Sequence, residues 1–393
     1  MGEWEEVPLS AVADLVITGC DPSQLGNQLV EYFSIPAYDS GSAQIVATSS
    51  IHSNKFVVPD EAVLVSRLNP HIPRIWLIKD RPRYLRLCST EFVPLAPKPS
   101  TTVDFLYQLC RSTRFLFSMR ELVTGTTGSH QRVDRSALLQ INVDLPPPSE
   151  QRAIAEVLGA LDDKIEANRK VAEISDNLWM TLLNSELDEI EDMDVLPHGW
   201  ERRSLTSLAK FINGKAFTRN ATGTGRMVVR IAELNSGPGA STVYNNIIVD
   251  EDFLARPGDL LFAWSGSLTV KRWYRNEAII NQHIFKVIPH SDVPVWLVHA
   301  HLLRLLPKYQ VIAAGKATTM GHIQRRDLDV EVAVPRESAL ALMNPSLTGL
   351  WSRALAAERE SLTLAALRDT LLPKLMSGEL RVRDAEHLVE DVA

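Results

Sequence analysis

The chain has 393 residues, 45% hydrophobic and 23% charged, a balance that allows several buried cores and argues against a disordered chain. Its three cysteines, Cys20, Cys88 and Cys110, are far apart and in no metal-ligand spacing, which argues against a disulfide framework or a zinc site and fits a reducing cytoplasm. The net charge of −7 counts against polyanion binding, but residues 196–336 alone hold 18 Lys and Arg against 11 Asp and Glu, a balance of +7.

The opening MGEWEEV is acidic and has no apolar run, so no signal peptide is expected. No stretch approaches the ~18–20 apolar residues of a membrane span. In residues 1–145, EAVLVSRL (61–68), RIWLI (74–78) and LRLCSTEFVPLAP (85–97) read as strands, and TVDFLYQLCRSTRFLFS (102–118) as a helix. INVDLP (141–146) alternates and is closed by proline. A long helix then starts in residues 146–195: Ser149 is a good N-cap after Pro146–Pro148, and Glu150 suits the positive end of the helix dipole. From Ser149 to Leu187 it would span ~58 Å at 1.5 Å per residue, too long to be buried in one small domain.

In residues 196–336, RMVVRIAEL (226–234), NNIIV (245–249), GDLLFAWSG (258–266) and AIINQHIFKVIP (278–289) read as strands. VPVWLVHAHLLRLLPKY (293–309) reads as a helix. Residues 337–380 hold a second long helix, expected to begin at Asn344–Pro345 and to end at Gly378. Residues 381–393 form a tail.

The chain repeats itself with a period of about 190–196 residues. VLVSRLNP (63–70) matches LLFAWSGS (260–267), TTGSH (126–130) matches TTMGH (318–322), and INVDLP matches VEVAVP (330–335). An apolar stripe on the first helix, Ile154, Leu158, Leu161, Ile165, Val171, Ile174, Leu178 and Leu182, maps at a constant offset onto Leu347, Trp351, Ala354, Glu358, Leu364, Leu367, Leu371 and Leu375. Two narrow stripes in matched register are expected to pair. The fold class is therefore α+β: two mixed α/β domains separated by two long antiparallel helices that form a coiled-coil spacer, with an internal pseudo-two-fold repeat.

PSEQRAIAEVLGALDDKIEANRK (148–170) resembles the central conserved region of the specificity (S) subunit of type I restriction–modification systems, and LRDTLLPKLMSGEL (367–380) its distal conserved region. IPAYDSG (35–41), SRLNP (66–70), STEF (89–92) and GTTGSHQR (125–132) resemble one type of that family's target-recognition domain, and FINGKAF (211–217) the start of another. The resemblance implies that residues 1–145 and 196–336 each read one half of a split DNA target. It implies that the helices set the gap between the halves and dock two methyltransferase (M) subunits. S-adenosylmethionine, ATP and Mg would belong to the partners, including a motor and nuclease (R) subunit, and this chain would be non-catalytic and cytoplasmic.

The residues agree with a non-catalytic reading. DLPPP (144–148) is not the [DN]-P-P-[YF] loop of amino-methyltransferases, because Leu145 intervenes and no aromatic follows to stack on a flipped base. No Walker A motif is present, and GTG (223–225) is too short for a phosphate loop. Base-edge recognition needs Arg, Lys, Asn, Gln, Ser and Thr on loops that reach the major groove, and His130 and His322, in equivalent loops, suit a structural role or a phosphate contact. The candidates form three groups: Ser66, Arg67 and Asn69 with Ser265 and Ser267; Thr127, Ser129, His130, Gln131 and Arg132 with Thr319, His322, Gln324, Arg325 and Arg326; and the basic edge Lys215, Arg219, Arg230, Lys271 and Arg272. The alternative is a coiled-coil adaptor whose mixed domains bind proteins rather than DNA; an acidic DNA mimic fits less well, since much of the acidity sits in ELDEIEDMD (186–194).

Overall fold

A computed structural model describes residues 4–124, 131–190, 193–315 and 321–390. The chain divides into two compact units, residues 1–164 with 364–393 and residues 165–363.

In the first unit, Ala62–Ser66 is a central strand, buried along its whole length, as its unbroken AVLV predicts. It lies in an antiparallel sheet of spatial order Ala13–Leu15, Phe92–Pro97, Ala62–Ser66, Ile75–Ile78. A second sheet has the order Gly19–Cys20, Lys55–Val57, Leu85–Cys88, Leu29–Phe33, Gln44–Ala47, and its Leu29–Phe33 and Leu85–Cys88 strands run parallel. Glu5–Pro8 pairs with Asn142–Leu145. The helix expected over 102–118 is two helices, Val103–Arg111 and Thr113–Glu121. Ser112 breaks it by taking an extended conformation, from which its hydroxyl caps the second helix by accepting from the Phe115 N–H.

The second unit repeats this plan. Ala209–Asn213, Ile284–Pro289, Leu260–Ala263 and Thr269–Arg272 form one sheet in the corresponding order. Leu254–Ala255, Ala278–Ile280, Arg226–Val229 and Tyr244–Asn245 form the other, again with one parallel pair. Trp200–Ser204 pairs with Glu331–Pro335. The helix expected at 293–309 is Val295–Ala314. The strand expected over NNIIV is only Tyr244–Asn245, and Ile248 is 97% exposed: with no neighbouring strand to cover it, β-propensity there has nothing to pack on. RMVVRIAEL is a strand, Arg226–Val229, followed by a short helix, Ile231–Ser236.

Pro148–Ile190 and Glu337–Met376 are the two long helices, and each contributes to both units. The second begins earlier than its Asn-Pro pair suggests. Leu340 and Met343 pack on the core of the second unit, and that burial extends the helix through Pro345. Asn344 is not a cap; its Oδ1 accepts from Trp296 Nε1 at 2.9 Å. Within the second unit Asn168 Nδ2 donates to Glu360 at 2.9 Å while Ala172 packs with Ala354 and Ala357, so the helices pair antiparallel there.

The expected stripe needs a correction. Ile154, Leu158 and Leu161 are buried, as are Leu347, Trp351, Ala354, Leu364, Leu371 and Leu375; Ile165, Val171 and Leu367 are half-buried. Ile174, Leu178 and Leu182 are 64%, 45% and 46% exposed and do not pair. The inward stripe keeps its steps of three and four through 165, 168, 172, 175, 179, 183, 187 and 190. It passes through polar Asn168 and Ser175, both buried, to Trp179, Leu183, Leu187 and Ile190. The apolar pattern jumped a polar layer and landed on the neighbouring face.

Candidate nucleic-acid interface

In the first unit the chain leaves the central strand at Ser66 and runs between two other segments. The Arg67 N–H donates to the Glu91 carbonyl at 2.9 Å, and the Arg67 carbonyl accepts from the Val133 N–H at 3.0 Å. The Asn69 N–H donates to the Gln131 carbonyl at 2.8 Å, and Leu68 forms an isolated antiparallel bridge with Arg132. Asn69 sits at φ 50°, a left-handed conformation that asparagine tolerates better than most residues.

The second unit makes the same set. The Trp264 N–H donates to the His283 carbonyl at 3.1 Å, and the Ile323 N–H donates to the Trp264 carbonyl at 3.1 Å. The Gly266 N–H donates to the Gly321 carbonyl at 2.9 Å, and Ser265 bridges His322. Among the described residues, Arg67 and Asn69 are thus brought beside Gln131 and Arg132, and Ser265 beside His322, although they are distant in sequence.

The side chains differ. Arg132 forks onto Glu91, with Nη2 to Oε1 at 2.9 Å and Nε at 3.1 Å from both carboxylate oxygens. These hydrogen bonds hold the Arg132 pKa above its usual value. Burial and the neighbouring Arg135 hold the Arg67 guanidinium below its usual value, and its Nε is buried with no hydrogen-bond partner. Arg135 donates to the Thr90 carbonyl at 2.8 Å and lies 5.0 Å over the Phe56 ring. Three guanidinium groups, Arg67, Arg132 and Arg135, therefore face two carboxylates, Glu91 and Asp134. In the second unit Trp264 lies 5.2 Å from the His283 ring and 6.3 Å from that of His322, and its Nε1 donates to Asn213 at 2.7 Å.

Other candidates divide by exposure. Ser66 and Ser265 are 3% exposed; Ser66 Oγ turns inward to the Leu68 carbonyl. Ser267, Gln324, Arg325 and Arg326 are exposed, and Gln131 is half-buried. Thr127, Ser129, His130 and Thr319 lie outside the described residues. Lys215 and Arg219 are exposed, with Lys215 Nζ 4.3 Å over the Phe253 ring. Arg230 is held by Glu233 at 2.5 Å and by the Ser241 carbonyl at 2.7 Å. Lys271 is exposed on strand Thr269–Arg272.

Arg272 must be removed from the candidates. Adjacent strand residues face opposite sides of a sheet, so Lys271 and Arg272 cannot share a surface. Arg272 has a side chain only 3% exposed and donates to Glu358 at 2.8 Å and to Asp176 at 3.1 and 3.0 Å. It also stacks 4.9 Å over Trp351. Its work is to fasten the sheet to both long helices. Sequence reasoning missed Glu91, Trp264 and His283, although STEF and LLFAWSG had been singled out: Glu91 and His283 stand beside tight turns where periodicity carries no signal.

Comparison with known proteins agrees with this architecture. Residues 1–175 match the family model of the type I restriction modification DNA specificity domain. The MjaIX specificity subunit of Methanocaldococcus jannaschii is 26% identical over 325 residues, 75% of this chain and 72% of that one. The HindI specificity subunit of Haemophilus influenzae is 17% identical and aligns with 97% of this chain and all of that one. The crystal structure of a type I S subunit from M. genitalium, at 16% identity, covers 95% of this chain and 96% of that one with a TM-score of 0.57, which supports the fold. With its doubled domain plan and paired long helices, the chain is similar over residues 1–175 to the type I restriction modification DNA specificity domain and over most of its length to specificity subunits of type I restriction enzymes.

Proposed function

We propose that each globular domain reads one half of a bipartite duplex DNA target and that the chain itself performs no chemistry. The observation that carries this reading is the backbone frame built twice, once around Arg67 and once around Trp264, each time presenting half-buried polar or aromatic side chains, with Gln324, Arg325 and Arg326 exposed beside the second. The +7 balance of residues 196–336 supports it, since phosphate attraction supplies most non-specific affinity. In this reading two M subunits supply S-adenosylmethionine and methylate adenine in the cytoplasm, and R subunits supply ATP- and Mg-dependent cleavage. Ile174, Leu178 and Leu182, one helical turn apart and exposed, offer an apolar stripe on which a partner helix can pack.

The test is to express the chain with its methyltransferase subunit and sequence the methylated adenines of the host. A split motif methylated on both strands is expected. Binding of the complex to random duplexes should also fall linearly in log K against log salt. A contiguous motif would remove the bipartite reading, and salt-independent behaviour would favour the protein-binding adaptor.

A further inference from the structure

The two frames can be compared position by position. Arg67 corresponds to Trp264, Glu91 to His283 and Arg132 to His322, because each pair makes the same main-chain contacts. No pair keeps its residue type, while the main chain is fixed by contacts that do not depend on side chains. All six residues are half-buried, so packing alone does not dictate them. In each unit the three converge: Arg132 on Glu91 beside Arg67, and both imidazoles beside the Trp264 ring.

Resting on the DNA reading above, we propose that these three positions form one reading station per unit, which takes a G·C pair in the first and an A·T pair, through its thymine methyl, in the second. The chemistry follows from the groups present. Arginine pairs with guanine O6 and N7, and a carboxylate accepts from the cytosine N4 amine, so Arg67 and Glu91 together can read both members of one G·C pair. Arg67 is half-buried and sits where guanidinium charge exceeds carboxylate charge, so the acceptor edge of guanine meets a field that favours it. In the second unit the indole N–H of Trp264 is already taken by Asn213 at 2.7 Å. Its ring therefore offers apolar surface, which suits the 5-methyl group of thymine.

The experiment uses the full complex with the methyltransferase subunit and reads the methylated motif half by half. Arg67→Ala and Glu91→Gln should each relax one G·C position in one half by about 5- to 150-fold and leave the other half intact. Trp264→Ala should relax one A·T position in the other half only. Replacing that thymine by uracil should weaken wild-type binding and leave the Trp264→Ala complex unchanged. If Arg67→Ala abolishes methylation altogether, Arg67→Lys decides: it keeps the charge but not the two-pronged geometry, and must relax the same position. A lysine variant with full stringency, or variants that loosen both halves alike, overturn the station while leaving bipartite reading intact. A wild-type motif that is not split would instead overturn the reading on which the station rests.

Discussion

Arg272 is the point where a direct perturbation is most informative. Replacing it by methionine keeps most of the volume and removes the hydrogen bonds to Glu358 and Asp176. Breaking a fully buried ion pair by removing one partner costs ~3–5 kcal/mol. Here the Glu358 and Asp176 side chains are 23% and 37% exposed, so solvent takes over part of the lost solvation, and about 2–3 kcal/mol is expected. At ~2–4 °C per kcal/mol for a domain of 150–250 residues, the second unit should melt about 4–12 °C lower by calorimetry of the full chain. The deficit should depend on pH. Burial raises the Glu358 pKa, and the hydrogen bond from Arg272 opposes that rise. A carboxyl whose folded pKa lies above its unfolded value destabilises the fold above that pKa, and the loss is relieved as pH falls through it. Without Arg272 the pKa rises further, so the deficit should be largest near about pH 8 and shrink toward about pH 5. Adding Glu358→Gln to Arg272→Met should recover about 1 kcal/mol or more, because it removes the unpaired charge. A variant that melts within about 1 °C of wild type, or whose deficit grows on acidification, would refute the account.

Three further outcomes follow from the same packing. Ile174→Glu and Leu178→Glu should change stability of the free chain by less than about 0.5 kcal/mol, whereas Leu183→Ala should cost ~2–5 kcal/mol in denaturant titration; the reverse ranking would restore the stripe read from sequence. His299 and His301 are buried and pushed down to about 4 by burial, so the unfolded state binds their protons first. Stability of the second unit should therefore fall between about pH 6.5 and 4, and His299→Phe should flatten that slope in acid titrations followed by tryptophan fluorescence. A Cβ at Gly214 would stand 2.1 Å from the Asn281 carbonyl oxygen and 2.4 Å from that of Ile280, so Gly214→Ala must displace main chain. A loss of ~2 kcal/mol or more is expected, with failure confined to the second half-site in the methylation readout.

Much of this fold was legible because its strongest signals are local. The unbroken AVLV and LLFA runs marked the central strands, and the proline-closed INVDL and EVAVP runs marked the last strand of each domain. What was not legible depended on tertiary partners. Asn168 and Ser175 look like surface residues until Glu360 is seen across the helix pair, so the stripe was drawn through Ile174 instead. Lys271 and Arg272 look like one basic patch until the strand separates them. The sequence singles out Arg67 and Ser265 in one group of loops and Arg132 and His322 in another, because their residue types suit base edges; only the fold sets Arg67 beside Arg132 and Ser265 beside His322. Glu91 and His283 were missed because only the folded backbone carries them beside those loops.

The first unit contains residues from both ends of the chain, 1–164 and 364–393. Arg368 reaches Asp162 at 2.8 Å, Leu371 and Leu375 are 1% exposed, and Gly378 lies under the Trp4 ring. During synthesis, then, the N-terminal part of that unit must wait for some 200 residues to emerge before its last core residues exist. At about 5–20 residues per second this is a delay of about 10–40 s, in which Asp162 stands without Arg368. The order in which the two readers mature is thereby inverted relative to the order in which they are translated: the second can close first, and the first closes last.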